Sequence, residues 1–159
     1  MAYLVDGNNL LGTLFPGFHR DPENKLKLIR RLIAFQRTRR VRVILVFDGA
    51  AVPDPSGMAL PGERFDIIYP PAGETADAVL HGILEGRRDL RHMVVVSSDR
   101  EVRAFAGLRG AKVRSSREFA AELRRTLRER RAEQELEKEE ERPSRLDVKL
   151  WSQVFKERP

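Results

Sequence analysis

Cysteine is absent from the 159-residue chain, which excludes disulfides and thiolate metal sites and suits a reducing compartment. No apolar run approaches the roughly 20 residues that cross a bilayer. No charged segment followed by an apolar stretch opens the chain, so the expectation is a cytoplasmic protein without a membrane partner. The motifs GxxxxGKS/T, GxGxxG and GxSxG do not occur, which argues against phosphate-binding loops, dinucleotide folds and serine hydrolases. His19, His81 and His92 show no ligand spacing, and no histidine is assigned a role. There is no internal repeat.

Charge is plentiful but uneven. The chain carries a net +6, yet residues 133–141 hold six glutamates and one lysine, which leaves +11 on the remainder. A basic body favours polyanionic partners, since phosphate neutralisation releases counterions. Surface solubility explains the same charge, so composition alone does not establish nucleic-acid binding.

Apolar residues alternate between short strand-like runs and helical periodicity. Tyr3-Leu4-Val5 runs into Asp6 and is expected to turn sharply at Gly7, followed by a loop holding Pro16, Gly17 and Pro22. A helix is predicted over about 23–38 and strands over 41–47 and 65–69, with a long, flap-like loop at 50–62. Glu74-Thr75-Ala76-Asp77 opens another helix, and 93–96 is a strand. A short helix over about 99–108 and a weak strand over 111–113 follow. Ser115 and Glu118 have capping-box spacing and start a long helix whose second half is nearly all charge. After Pro143, Leu146, Leu150, Trp151, Val154 and Phe155 fall on one side of a last helix, with Ser144 and Asp147 as cap candidates. That face is expected to dock on its own domain; the alternative is a grip for a partner or a second copy. The alternation predicts an α/β fold with a mostly parallel sheet. The expected division is a domain over 1–131 and an extension over 132–159.

Three predicted strands end in an acid, at Asp6, Asp48 and Asp99, and Glu74 and Asp77 start the helix after another strand. In a parallel sheet all five fall on the carboxyl edge, where open α/β sheets place their ligands. Each has a plain structural reading as a turn or cap residue. Together they form a repulsive cluster that a cation would relieve, and oxygen-only ligands suit Mg²⁺ or Mn²⁺. Such an ion activates water and neutralises charge on a phosphodiester. Asn8 and Ser98 could reach a phosphate, though both types also serve turns and caps; Ser97 reads the same way.

The stretches Leu4-Val5-Asp6-Gly7-Asn8-Asn9, Val46-Phe47-Asp48, Glu74-Thr75-Ala76-Asp77 and Val96-Ser97-Ser98-Asp99 resemble the YacP-like branch of the NYN domains, within the PIN-like nucleases. The likeness runs from about residue 3 to about residue 130. It implies a three-layer α/β/α fold and a divalent-metal-dependent endoribonuclease, similar to a ribosome-associated enzyme that cuts messenger RNA during translation. It implies Asp6, Asp48, Asp77 and Asp99 as the acidic positions, with Glu74 and Asn8 beside them. The family often carries an aromatic where Asn8 stands. RNA, as messenger RNA and with the ribosome, is the expected partner. Arg37, Arg39, Arg40, Arg87, Arg88 and Arg91 are expected to contact its backbone. Two other readings are an RNA- or ribosome-binding module with weak or no catalysis, and a haloacid-dehalogenase-type phosphatase. The phosphatase wants a second aspartate where Asn8 stands.

Overall fold

The structure is a computed structural model that describes residues 1–49, 64–142 and 145–156, the side chains of 145–148, 151 and 155 excepted. In chain order the elements are β1 (Ala2–Asp6), α1 (Gly7–Leu14), α2 (Pro22–Arg39), β2 (Arg42–Val46), β3 (Phe65–Ile68), α3 (Ala76–Glu85), β4 (Met93–Val96), α4 (Arg100–Leu108), β5 (Lys112–Arg114), α5 (Ser116–Glu141) and α6 (Arg145–Lys156). The five strands form one sheet in the order β3-β2-β1-β4-β5, and every pairing is parallel. The order reverses at β1, so the β1–β4 crevice is the topological switch point where such sheets bind ligands.

Strand side chains alternate between two cores. Tyr3, Val5, Val43, Leu45, Val94 and Val96 point to one face and bury Leu10 and Leu11 of α1, Leu28, Leu32 and Phe35 of α2, and Phe119 and Leu123 of α5. Leu4, Ile44, Val46 and Val95 point to the other face and bury Leu80 and Leu84 of α3 and Val102 and Ala106 of α4. This is the expected three-layer α/β/α sandwich. Continuous apolar strands such as Met93–Val96 reflect burial on both faces. Tyr3, Phe35 and Phe119 meet edge-on or tilted, at centroid distances of 5.2, 5.7 and 5.2 Å, which clamps α2 and α5 to β1.

The start of the chain departs from the sharp turn and loop that its residues suggest: Gly7 is the first residue of α1. Eight residues containing two glycines and two asparagines carry little helical propensity. Burial of Leu10 and Leu11 supplies what propensity lacks. A Cβ on Gly7 would lie 2.5 Å from the Phe47 ring and 2.8 Å from the Val46 carbonyl. Glycine is there for close approach to β2.

The capping box at α5 forms as predicted: Ser115 N donates to Glu118 Oε2 and Glu118 N donates to Ser115 Oγ, each at 3.1 Å. The flap expected at 50–62 and the Ser144 cap lie outside the described residues. Contacts divide the chain into two compact units, Met1–Leu127 and Arg128–Pro159. In the second, α6 forms as predicted, with Leu150 and Val154 exposed. The docking expected of Leu146, Trp151 and Phe155 concerns side chains outside the described set.

Candidate active site

Asp6 stands at the carboxyl end of the central strand and is 6% exposed. It caps α1 by accepting from Asn9 N at 3.4 Å, and its other oxygen accepts from Ser97 Oγ at 3.1 Å. Burial is the main force that pushes its carboxyl up to about 6; the charges of Asp77 and Asp48 add to the rise, and the two hydrogen bonds oppose it. Asp77 is also raised, by burial first and then by Asp99 and Asp48, while His81 on the same helix pulls it down. The acids from β1, β2, α3 and α4 therefore act on one another across one edge of the sheet, although they are as much as 93 residues apart in sequence (Asp6 to Asp99).

The residues after Asp6 organise that edge. Asn8 Oδ1 accepts from Asp48 N at 3.3 Å, on the β2 side. Asn9 Oδ1 accepts from Ser98 N at 3.1 Å on the β4 side, and from the Ser116 hydroxyl at the start of α5. Ser97 is fully buried and bridges two acids, since its hydroxyl also accepts from Asp99 N at 3.1 Å. Ser98 Oγ accepts from Ser116 N at 3.2 Å. One tetrapeptide thus caps its own helix, approaches β2 closely, and ties down the two loops that carry Asp48 and Asp99.

The outer acids are held by helix starts. Asp48 Oδ1 accepts from Ala76 N at 2.8 Å, at the head of α3, where Thr75 is the cap. Asp99 Oδ1 caps α4 by accepting from Glu101 N at 2.8 Å and Val102 N at 3.1 Å. Asp77 makes no hydrogen bond to a described residue and is exposed. Glu74, one residue before the α3 cap, is exposed too.

The donors fit a hard divalent cation by chemistry, being carboxylates of which burial first, and mutual repulsion second, raise Asp6 and Asp77. Distance does not close the set: among the described residues no three His, Cys, Asp or Glu side chains gather tightly enough to hold an ion.

Beside the acids opens a cleft of about 720 Å³ lined by Asn8, Asn9, Gly12, Thr13, His19, Arg20, Lys25, Asp48, Gly49 and Ser98. Its acidic wall is Asp48; its basic wall is His19, Arg20 and Lys25. Lys25 Nζ lies 5.2 Å from the centroid of Phe47 and donates to the Asp48 carbonyl at 3.5 Å. Burial lowers its pKa, against the pull of Asp48.

The arginines singled out from sequence lie elsewhere. Arg37, Arg39 and Arg40 end α2 and precede β2, and Arg87, Arg88 and Arg91 precede β4, so all six sit at the amino edge. Five-residue strands separate the two edges by roughly 13 Å. Arg39 donates through Nε and Nη2 to the buried Thr126 Oγ1 at 3.2 and 3.0 Å, Arg40 adopts φ 55° as the α2 cap, and Arg91 pairs with Asp89 at 2.9 Å. Connectivity would have found the cations that line the cleft. A helix that follows a strand's carboxyl end begins on the site's edge and finishes on the opposite one, so residues 19–25 face the acids and 37–40 do not. Asn9 and Ser97 carried no such signal, because amides and hydroxyls are common in turns.

The chain matches the model of the YacP-like NYN domain over residues 3–158, beyond residue 130 where the motif likeness ended and through the C-terminal helix. Among curated proteins, none matches closely enough to count as a relative. Two crystal structures of Rae1 (YacP) from Bacillus subtilis are similar. One, of the W164L mutant, has a TM-score of 0.66 and 25% identity, covering 94% of this chain and 89% of that one. The other has a TM-score of 0.63 and 25% identity, with 98% and 91% covered. The motifs, the strand order and this match agree, and the chain belongs to the YacP-like NYN domain family.

Proposed function

We propose that the protein is a divalent-metal-dependent endoribonuclease that hydrolyses RNA phosphodiesters. The observation that carries this reading is the convergence of Asp6, Asp48, Asp77 and Asp99 on one sheet edge, with Asp6 and Asp77 held above the ordinary carboxylate range. Mg²⁺ or Mn²⁺ bound there would supply an acidified water for in-line attack and offset charge on the phosphodiester. Asp6, Asp48, Asp77 and Asp99, with Glu74 at the rim, are the residues that would hold it. Asp6 takes this part only once deprotonated, so its carboxyl also sets a lower pH limit. Asn8 and Ser98 border the cleft, where an amide and a hydroxyl can orient the RNA strand.

Messenger RNA on the translating ribosome, in the cytoplasm, is the natural substrate that the family resemblance suggests. The first experiment is cleavage of labelled single-stranded RNA with Mn²⁺, with Mg²⁺ and with EDTA, by wild type and by folded Asp6→Asn. Cleavage that needs metal and disappears in the mutant supports the reading. Cleavage that survives both EDTA and the mutation sinks it.

A second reading, an RNA- or ribosome-binding module without catalysis, draws on the acids' failure to close around an ion. RNA binding without cleavage, both on free RNA and on translating ribosomes, would favour it.

A further inference from the structure

The acidic edge presents a physical difficulty to any RNA ligand. A phosphodiester approaching Asp6, Asp48, Asp77 and Asp99 meets negative charge, and something in the fold must offset that repulsion. The offset lines the same cleft as Asp48. Lys25 is half-buried, and its Nζ meets the Asp48 backbone carbonyl and two aromatic rings. Asp48 attracts it, but no described carboxylate forms a direct ion pair with it. A half-buried ammonium without a carboxylate in contact keeps donors free to take an anion. Arg20 and His19 line the same cleft and make no hydrogen bond or ion pair to a described residue. The short connection that carries them is itself held: Asn24, 7% exposed, donates from Nδ2 to the Phe18 carbonyl at 2.9 Å, and Asp21 caps α2 through Glu23 N at 2.9 Å. The floor is open as well, since a Cβ on Gly12 would meet nothing within 4 Å.

We propose that Lys25, Arg20 and His19 form a phosphate-holding wall, which seats an RNA backbone phosphate in the cleft next to the carboxylates. This rests on the nuclease reading for its ligand, but not for its test. The wall binds, and the acids are not needed for binding.

The test is fluorescence anisotropy of a labelled single-stranded RNA in EDTA at two salt concentrations, with wild type, Lys25→Gln, Arg20→Gln and Gly12→Leu. Thermal melts accompany it, and cleavage with Mn²⁺ is run in parallel. Lys25→Gln and Arg20→Gln should each weaken binding roughly fivefold and lower the salt slope by about 0.7. Gly12→Leu should weaken binding by filling the cleft, without removing a charge. Asp6→Asn should bind at least as tightly as wild type. The pair Arg87→Gln with Arg88→Gln, at the opposite edge, should bind as wild type does. Arg20 is exposed and bonds no described residue, so its variant stays informative if Lys25→Gln is unstable. Wild-type affinity in Arg20→Gln and Gly12→Leu, or no RNA binding by the wild type, overturns the wall even where metal-dependent cleavage is present. Weakened binding in all three cleft variants with no cleavage under any metal, on free RNA and on translating ribosomes alike, leaves the wall standing and removes the nuclease reading.

Discussion

Two aspartates at opposite edges of the same parallel sheet are driven in opposite directions. Asp89, before β4 on the amino edge, is exposed and held down to about 2 by hydrogen bonds from Arg91. Asp6, at the end of β1 on the carboxyl edge, is buried and pushed up to about 6. The amino edge pairs its charges: Arg42 lies 2.8 Å from Asp66, Arg91 lies 2.9 Å from Asp89, and Arg39 satisfies Thr126. The carboxyl edge gathers like charges and secures them with hydrogen bonds from amides, hydroxyls and helix starts. Where polar residues serve stability they are complementary. Where they are crowded and repulsive, stability has been given up for a site.

The largest expected effect contrasts acids across the two edges. Asp77→Asn should lower metal-dependent RNA cleavage by about 100-fold or more, because Asp77 is exposed and makes no hydrogen bond to a described residue. Asp89→Asn should leave cleavage unchanged. Equal losses, read in one cleavage assay, would break the comparison.

Two glycines of α1 sharpen it. Gly7→Ala should destabilise the fold by about 3 kcal/mol, since neither the buried Phe47 ring nor the Val46 carbonyl can retreat far. Gly12→Ala, in open space on the same helix, should stabilise it by about 0.5–1 kcal/mol. Chemical denaturation reads both signs.

Asp6 itself links stability to pH. The folded protein holds this proton to higher pH than the unfolded chain, so the wild type loses stability as pH rises from about 4 to about 6 and carries the full deficit above that. Asp6→Asn should therefore be more stable than wild type at pH 8 in EDTA, by about 2 kcal/mol, with the advantage gone below pH 4. Mn²⁺ should narrow the gap at pH 8 by stabilising only the wild type. Cleavage should rise with pH from a midpoint below that of the metal-free carboxyl, because the cation competes with the proton on Asp6. An advantage that persists at pH 3.5 would show that the carboxylate's charge is not its cause.

The smallest effect belongs to the amino edge. Arg39→Ala should cost about 1 kcal/mol by leaving the Thr126 hydroxyl without its donors, with cleavage unaffected. A loss of cleavage there would mean that the amino edge also meets the substrate.

Much of this was legible in the residues. Apolar runs ending in acids established a parallel α/β sheet, because a strand buried on both faces must be apolar throughout and ligands gather at its carboxyl end. The four acids, the capping box at Ser115 and Glu118, and the spans of most helices followed from local rules, since caps and periodicity act within a few residues. The tertiary structure decided the rest. A helix at Gly7 exists because Leu10 and Leu11 find a core, which local propensity does not reveal. Asn9 and Ser97 matter because residues 89 and 91 positions away fold back to meet them, through Ser98 to Asn9 and Ser97 to Asp6. Basic residues are indistinguishable by type, and only chain direction through the layers sets Lys25 against the acids and Arg39 against Thr126. Sequence carries what neighbours along the chain determine; which charges stand face to face is decided by how the chain crosses the sheet.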